Sequence, residues 1–264
     1  LAFNSTFGRV FSPTFQPKSQ ADTSFSPLDI AGCQLWIDFS DATKLFKDAG
    51  VTPVSSDGDA IYQVNDKSGN SYHATQATIA NRPLYKTGIK NGLSAGYFDG
   101  GDFLTLPSGL AVTLKKQVTG FFVLMFQTIS SAARYSWFGS GYWTDGKFIR
   151  HVHDTTSKIW LCYGGSKFLA GSVPSINTWY LDMFKWNSIN ETASLYLNGN
   201  PSVTQAVPLN WELNASNSTV LIGKIGGMNS IIGYMSEILV YDTVLSDSDR
   251  QSMETYLNSK WSIY

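Results

Sequence analysis

The run Ala193-Ser194-Leu195-Tyr196-Leu197-Asn198-Gly199 reads as a strand entering a tight turn. Asn-Gly takes the positive φ angles of a type I′ turn at little cost, so this segment predicts a β-hairpin. Outward from it, short apolar or alternating segments are separated by Gly, Asn, Asp and Ser clusters. They predict strands over Gln34–Phe39, Gly96–Asp99, Phe103–Leu106, Gly120–Thr128, Tyr135–Gly139, Phe148–His153, Lys158–Cys162, Trp179–Trp186, Ala193–Leu197, Thr219–Ile225 and Ile232–Asp242. No helices alternate with them, which favours an antiparallel sandwich over a parallel α/β sheet. Residues 40–95 hold few strand signals and read as an irregular excursion at one end. Gly223, Gly226 and Gly227 read as tight strand-end turns. A short C-terminal helix is expected: Ser246 caps it, Asp247 and Asp249 suit its positive end, and Met253, Tyr256, Leu257 and Trp261 share one face.

The chain of 264 residues carries 16 Phe, 13 Tyr and 8 Trp, ample for a large core. Lys plus Arg number 19 and Asp plus Glu 20, a net charge of −1 that argues against nucleic acid as a partner. The longest purely apolar run is Phe121 to Phe126, so no membrane insertion is expected. Two cysteines, Cys33 and Cys162, cannot form a disulfide framework; either one bridge or two buried free thiols fits, and free thiols are preferred.

Residues 1–27 differ from the rest. Phe3, Phe7, Phe11 and Phe15 recur every four residues, but Gly8, Pro13 and Pro17 oppose a helix. The stretch reads as an extended docking arm before a domain over residues 28–264. Burying one Phe stabilises by on the order of 2–3 kcal/mol, so the arm packs either on its own domain or on a neighbouring subunit. Residues 1–20 lack a basic start and apolar block, so no signal peptide is expected.

Several pieces together resemble the bacterial and phage branch of the laminin-G-like, concanavalin-A-like lectin/glucanase jelly rolls. They are Leu35-Trp36-Ile37-Asp38, Asp66-Lys67-Ser68-Gly69-Asn70, Ala74-Thr75-Gln76, Arg82-Pro83, Asn91-Gly92, Phe98-Asp99-Gly100, Leu197-Asn198-Gly199, Ile222-Gly223 and Glu237-Ile238-Leu239-Val240-Tyr241, then Leu245-Ser246, Arg250, Tyr256-Leu257 and Lys260-Trp261. The resemblance implies an all-β, concanavalin-A-like antiparallel β-sandwich (jelly roll) with a short C-terminal helix and an extended N-terminal arm. It leaves the ligand open, because members include carbohydrate binders, protein-binding modules, enzymes and virion parts. With the arm, it points to a non-enzymatic virion-associated protein, a phage capsid decoration or tail component. The arm would bind capsid or tail subunits, the domain would offer a glycan-binding surface, and self-association into a homo-oligomer stays open. The alternatives are a secreted or cell-surface carbohydrate-binding module and a glycoside hydrolase of the same fold.

A glycoside hydrolase needs two carboxyl groups about 5–5.5 Å apart, or about 6.5–9.5 Å for inversion. The chain has four glutamates, Glu191, Glu212, Glu237 and Glu254, with no clustered pair on one strand, so no catalytic residue is assigned. Asp57 with Asp59 and Asp99 with Asp102 lie in Gly-rich turns, where Asp serves turn hydrogen bonding. His151-Val152-His153 reads as a polar strand end or the start of a metal site. No cofactor is assigned. Calcium enters only because the resembled domains often bind it; Asp66, Ser68 and Asn70, and Asp99 with Asp102, are the candidate ligands, against the alternative of metal-free Asx turns. For sugar, Tyr142, Trp143 and Asp145 follow a Gly-Ser-Gly segment, and Asn210 with Trp211 forms a second candidate. Trp36, Trp137, Trp160, Trp179 and Trp186 lie in predicted strands and are expected mostly in the core.

Overall fold

The computed structural model describes residues 25–129, 135–140, 149–152, 159–163, 167–171, 174–210, 212, 219–225 and 229–264. Within these, only the backbone is described at 111, 112, 149–152, 160, 162, 163 and 167–169. The strands are β1 (Cys33–Asp38), β2 (Leu45–Phe46), β3 (Gln63–Val64), β4 (Ala74–Thr75), β5 (Leu84–Lys90), β6 (Leu93–Asp99), β7 (Leu104–Thr105), β8 (Gln117–Phe126) and β9 (Tyr135–Ser140). They continue as β10 (Ile149–Val152), β11 (Ile159–Tyr163), β12 (Lys167–Ala170), β13 (Trp179–Asn187), β14 (Thr192–Leu197), β15 (Asn200–Ala206), β16 (Val220–Ile222), β17 (Asn229–Ser230) and β18 (Ile232–Tyr241). Among the described residues two α-helices join them, α1 (Ser108–Thr113) and α2 (Asp247–Trp261).

The strands form two sheets, as an antiparallel sandwich requires. One is eight-stranded in the order β15-β14-β13-β8-β18-β6-β5, with β1 also paired to β18. The other is ten-stranded in the order β12-β11-β10-β9-β16-β7-β4-β3-β2. The pairing is antiparallel except where β17 runs parallel to β9. The Asn198–Gly199 turn joins β14 to β15 with φ of +51° and +73°, as the sequence predicts. Gly223 ends β16 with φ +97°, and a Cβ there would lie 2.7 Å from the Phe98 ring. Residues 40–95 are richer in strands than expected: β2, β3 and β4 are two-residue pairings, but β5 is a seven-residue strand.

The sheets meet over an aromatic core. Along β8, Phe122, Leu124 and Phe126 point inward, where Phe122 meets Phe138 with centroids 5.1 Å apart and Phe126 meets Trp137 at 5.5 Å. The alternate residues Phe121 and Val123 point out of the sandwich, with Leu181, Met183, Leu239 and Tyr241 beside them. Helix α2 lays Met253, Leu257 and Trp261 on that outer face. Ser246 Oγ accepts the Asp249 N–H at 3.1 Å and caps the helix as predicted. Apolar burial, at about 25 cal/mol per Å2, holds the helix against the sheet's outer face.

β18 carries a bulge at Ser236: Met235 pairs with Leu124, but Glu237 already pairs with Val123. One extra residue reverses the alternation. Tyr234, Glu237, Leu239 and Tyr241 therefore all face outward, while Met235, Ile238 and Val240 face the core.

Candidate functional site

Two constellations occupy the outer face of the eight-stranded sheet. The first lies under α2 and is sealed. Glu237 Oε1 accepts from Trp36 Nε1 at 2.8 Å and Tyr256 OH at 3.2 Å. Glu237 Oε2 accepts from Lys260 Nζ at 2.8 Å and Trp261 Nε1 at 2.7 Å. The same Lys260 ammonium reaches Asp38 Oδ2 at 2.8 Å, as does Lys67 Nζ, which also lies 4.4 Å from the centroid of Trp36. Burial and the nearby Asp38 charge push the Glu237 carboxyl up; burial also works against Asp38, but Lys260 and Lys67 hold its carboxyl below the usual range. Asp38 and Glu237, bridged by one ammonium, are neighbouring carboxylates, the kind of pair a glycosidase uses. Their side chains are only 4% and 0% exposed and their oxygens are taken up by donors. The pair is a structural tie between α2, β1 and β18, with no room for a sugar bond between the carboxyls.

Trp36, Asp38, Lys67, Glu237, Tyr256, Lys260 and Trp261 all belong to the sequence pieces that carry the family resemblance. The structure brings them together as fold-holding residues.

The calcium candidates are also tied up. Asp66 Oδ1 accepts from the Trp36 and Ser68 amides, each at 2.9 Å. Its Oδ2 accepts from Ser68 Oγ at 2.7 Å and the Tyr72 amide at 3.0 Å. Asn70 Nδ2 donates to the Cys33 carbonyl at 3.0 Å. Asp66, Ser68 and Asn70 thus staple their loop to β1, and a carboxylate already accepting four donors does not fit an ion that needs six to eight oxygens. Asp102 Oδ2 accepts the Asp99 amide at 3.0 Å, and Asp99 Oδ1 accepts the Gly101 amide at 2.8 Å. Burial, then the neighbouring Asp99 carboxylate, outweigh that amide and push the Asp102 carboxyl up to about 7. Among the described residues, no three His, Cys, Asp or Glu side chains gather as metal ligands.

The second constellation is open. Leu84, Tyr97, Tyr234, Met125 and Trp179 stand opposite one another in register across β5, β6, β18, β8 and β13. All five are half-buried, one pleat step beyond the row that α2 covers. The Tyr97 and Tyr234 rings lie 5.1 Å apart at 54°, and the Tyr234 and Trp179 rings 6.2 Å apart at 34°. Neither phenol hydroxyl bonds another described residue. Asp99, exposed, follows on the same face opposite Ile232. Trp179 was expected in the core; it faces outward because β13 places it opposite Met125. Trp36, Trp137 and Trp186 are buried as expected.

Of the loop candidates for sugar, Tyr142, Trp143, Asp145 and Trp211 lie outside the described residues. Asn210 is described: it is a left-handed turn residue, φ +56°, whose amide donates to the Ser188 carbonyl at 2.8 Å. Phe3, Phe7, Phe11 and Phe15 also lie outside. The last residues of the predicted arm lie on this domain: Phe25 meets Tyr256 with ring centroids 5.9 Å apart, and the Pro27 carbonyl accepts Tyr241 OH at 2.9 Å. An open groove of about 1020 Å3 runs along the solvent side of α2 from Phe25 to Lys260, and among the described residues no acidic side chain lines it.

No family model matches the chain, and no curated protein matches it. Solved structures share its fold. Domain 4 of AbnA, a GH43 extracellular arabinanase from Geobacillus stearothermophilus in complex with arabinotriose, is 14% identical with a TM-score of 0.59. The match covers 84% of this chain and 98% of that one. The binding domain of Paraclostridial Mosquitocidal Protein 1 is 12% identical with a TM-score of 0.62, over 86% of this chain and 53% of that one. Trypanosoma rangeli sialidase is 13% identical with a TM-score of 0.58, over 88% of this chain and 33% of its own length. At these identities the likeness establishes the β-sandwich alone.

Proposed function

We propose that this chain is a non-enzymatic glycan-binding β-sandwich of the laminin-G-like type, and that the Tyr97–Tyr234–Trp179 ladder is its sugar platform. The observation that carries this reading is the ladder itself: three rings side by side, half-open, with hydroxyls uncommitted and a carboxylate at the edge. A pyranose has an apolar C–H face that stacks on aromatic rings, while its hydroxyls need donors and acceptors at the rim. Apolar surface left open on a folded domain marks binding sites. The buried, donor-saturated Asp38–Glu237 pair favours binding without cleavage. A neighbour solved with arabinotriose on the same fold fits this reading.

The setting we propose is display on a phage virion, with residues 1–24 of the arm binding a capsid or tail subunit; a secreted or cell-surface module is the alternative. Deleting residues 1–24 and measuring incorporation into particles separates them, since unchanged incorporation removes the virion setting. For the sugar site, a glycan array comparing the wild type with Tyr234→Ala, Trp143→Ala and Trp211→Ala is the test. The ladder reading expects the signal to be lost with Tyr234→Ala. Loss with Trp143→Ala or Trp211→Ala alone would move the site to the loops.

A further inference from the structure

Resting on the ladder as a sugar site, a second property follows from the charges around it. Asp99 lies two residues beyond Tyr97 on the same outward face of β6 and is exposed. Asp102, buried behind the turn, sets its carboxyl against that of Asp99 and accepts the Asp99 amide. The turn is fixed from behind, where Ser230 Oγ donates to the Asp102 carbonyl at 2.6 Å. Among the described cations around it, Arg82, two residues before β5, donates to the Gln76, Lys47 and Ala77 carbonyls, and Lys86 stands on β5 opposite Ala95, on the other side of Tyr97. The Lys86 ammonium is answered by Asp57 at 3.0 Å. Asp99 therefore leaves the described platform with an unmatched negative charge at one end of the rings.

We propose that the Asp99–Asp102 turn is a specificity element: the ladder takes neutral oligosaccharides and turns away those bearing carboxylates, such as uronic or sialic acids. Stacking favours either kind of sugar, because every pyranose has a C–H face. The charge discriminates. A ligand carboxylate about 4 Å from Asp99 in water is opposed by about 1 kcal/mol, close to a fivefold loss of affinity, and salt weakens the effect. A neutral hydroxyl at the same place donates to Asp99 and gains a charge-assisted hydrogen bond.

The test is binding to an array of matched pairs, lactose with 3′-sialyllactose and mannohexaose with hexamannuronate, at 20 mM and 500 mM salt. The wild type is expected to bind the neutral member of a pair about fivefold or more tightly at low salt, with the gap closing at high salt. Asp99→Asn should raise the acidic-to-neutral ratio, and Asp99→Asn with Asp102→Asn should raise it about fivefold. Because the readout is a ratio, partial loss of folded protein cancels. Equal binding of both members, or a ratio unmoved by the double variant, overturns this inference and leaves the ladder site standing. Binding of neither member of any pair contradicts the glycan reading and this inference together.

Discussion

Tyr234 and Glu237, three residues apart in β18, face the same side of the sheet because the bulge at Ser236 separates them. Without the extra residue, strict alternation would send one of them into the core. The bulge thus gives one outer face two neighbouring features, a sealed ionic tie under α2 and an open aromatic row beyond it.

The tie is expected to be costly to break. Glu237→Gln leaves Lys260 without one of its two carboxylates and sets an amide against four donors. It should lower the unfolding free energy by about 3 kcal/mol, read from urea denaturation. A loss under about 1 kcal/mol would mean that α2 is held by its apolar face alone.

Asp102 predicts a pH dependence of opposite sign to that of a salt-bridged acid. Its folded-state carboxyl is pushed up to about 7, chiefly by burial. Its stabilising contribution is therefore complete below the ordinary carboxylate range and lost as pH rises through about 7. The melting temperature should rise from pH 8 to pH 5, and Asp102→Asn should flatten that slope. An unchanged slope in the variant would assign the effect to other groups, such as buried Glu237.

Cys33 is a free, half-buried thiol. Burial first, then the Asp66 charge, push it up to about 12. The thiolate is the reacting species, so alkylation at pH 8 should be slow in the folded protein and fast in urea. Peptide mass spectrometry checks this at Cys33 itself; rapid labelling of the native chain would contradict the burial.

Gly199 occupies the hairpin turn at φ +73°, and a Cβ there would lie 3.0 Å from the Tyr264 hydroxyl. Gly199→Ala should destabilise by about 1 kcal/mol, measured by thermal melting, whereas a neutral result would show that the turn relaxes.

Local chemistry made much of this fold legible. Asn198–Gly199 and Ser246 with Asp249 each act within a few residues, and both stand where the sequence places them. Strand β5 was hidden because it is irregular: Gly88 has φ +64°, and the register with β6 shifts between Lys86 and Lys90. The ladder was hidden for a different reason. Alternation in Tyr97-Phe98 shows that the two residues face opposite ways, and Phe98 in the core implies Tyr97 outside. Which outward residues α2 covers, and that Trp179, Tyr234 and Tyr97 fall in one row, depends on pairings between strands more than 50 residues apart. The bulge at Ser236 then offsets the pattern within β18.

The most direct measurement is a titration of isotope-labelled protein with an array-positive neutral oligosaccharide, followed by nuclear magnetic resonance. The account predicts that the Trp179 indole and the Tyr97 and Tyr234 ring signals shift first and saturate together. Shifts confined to residues 142–145 and 210–211, with the three ladder rings unmoved, would contradict it.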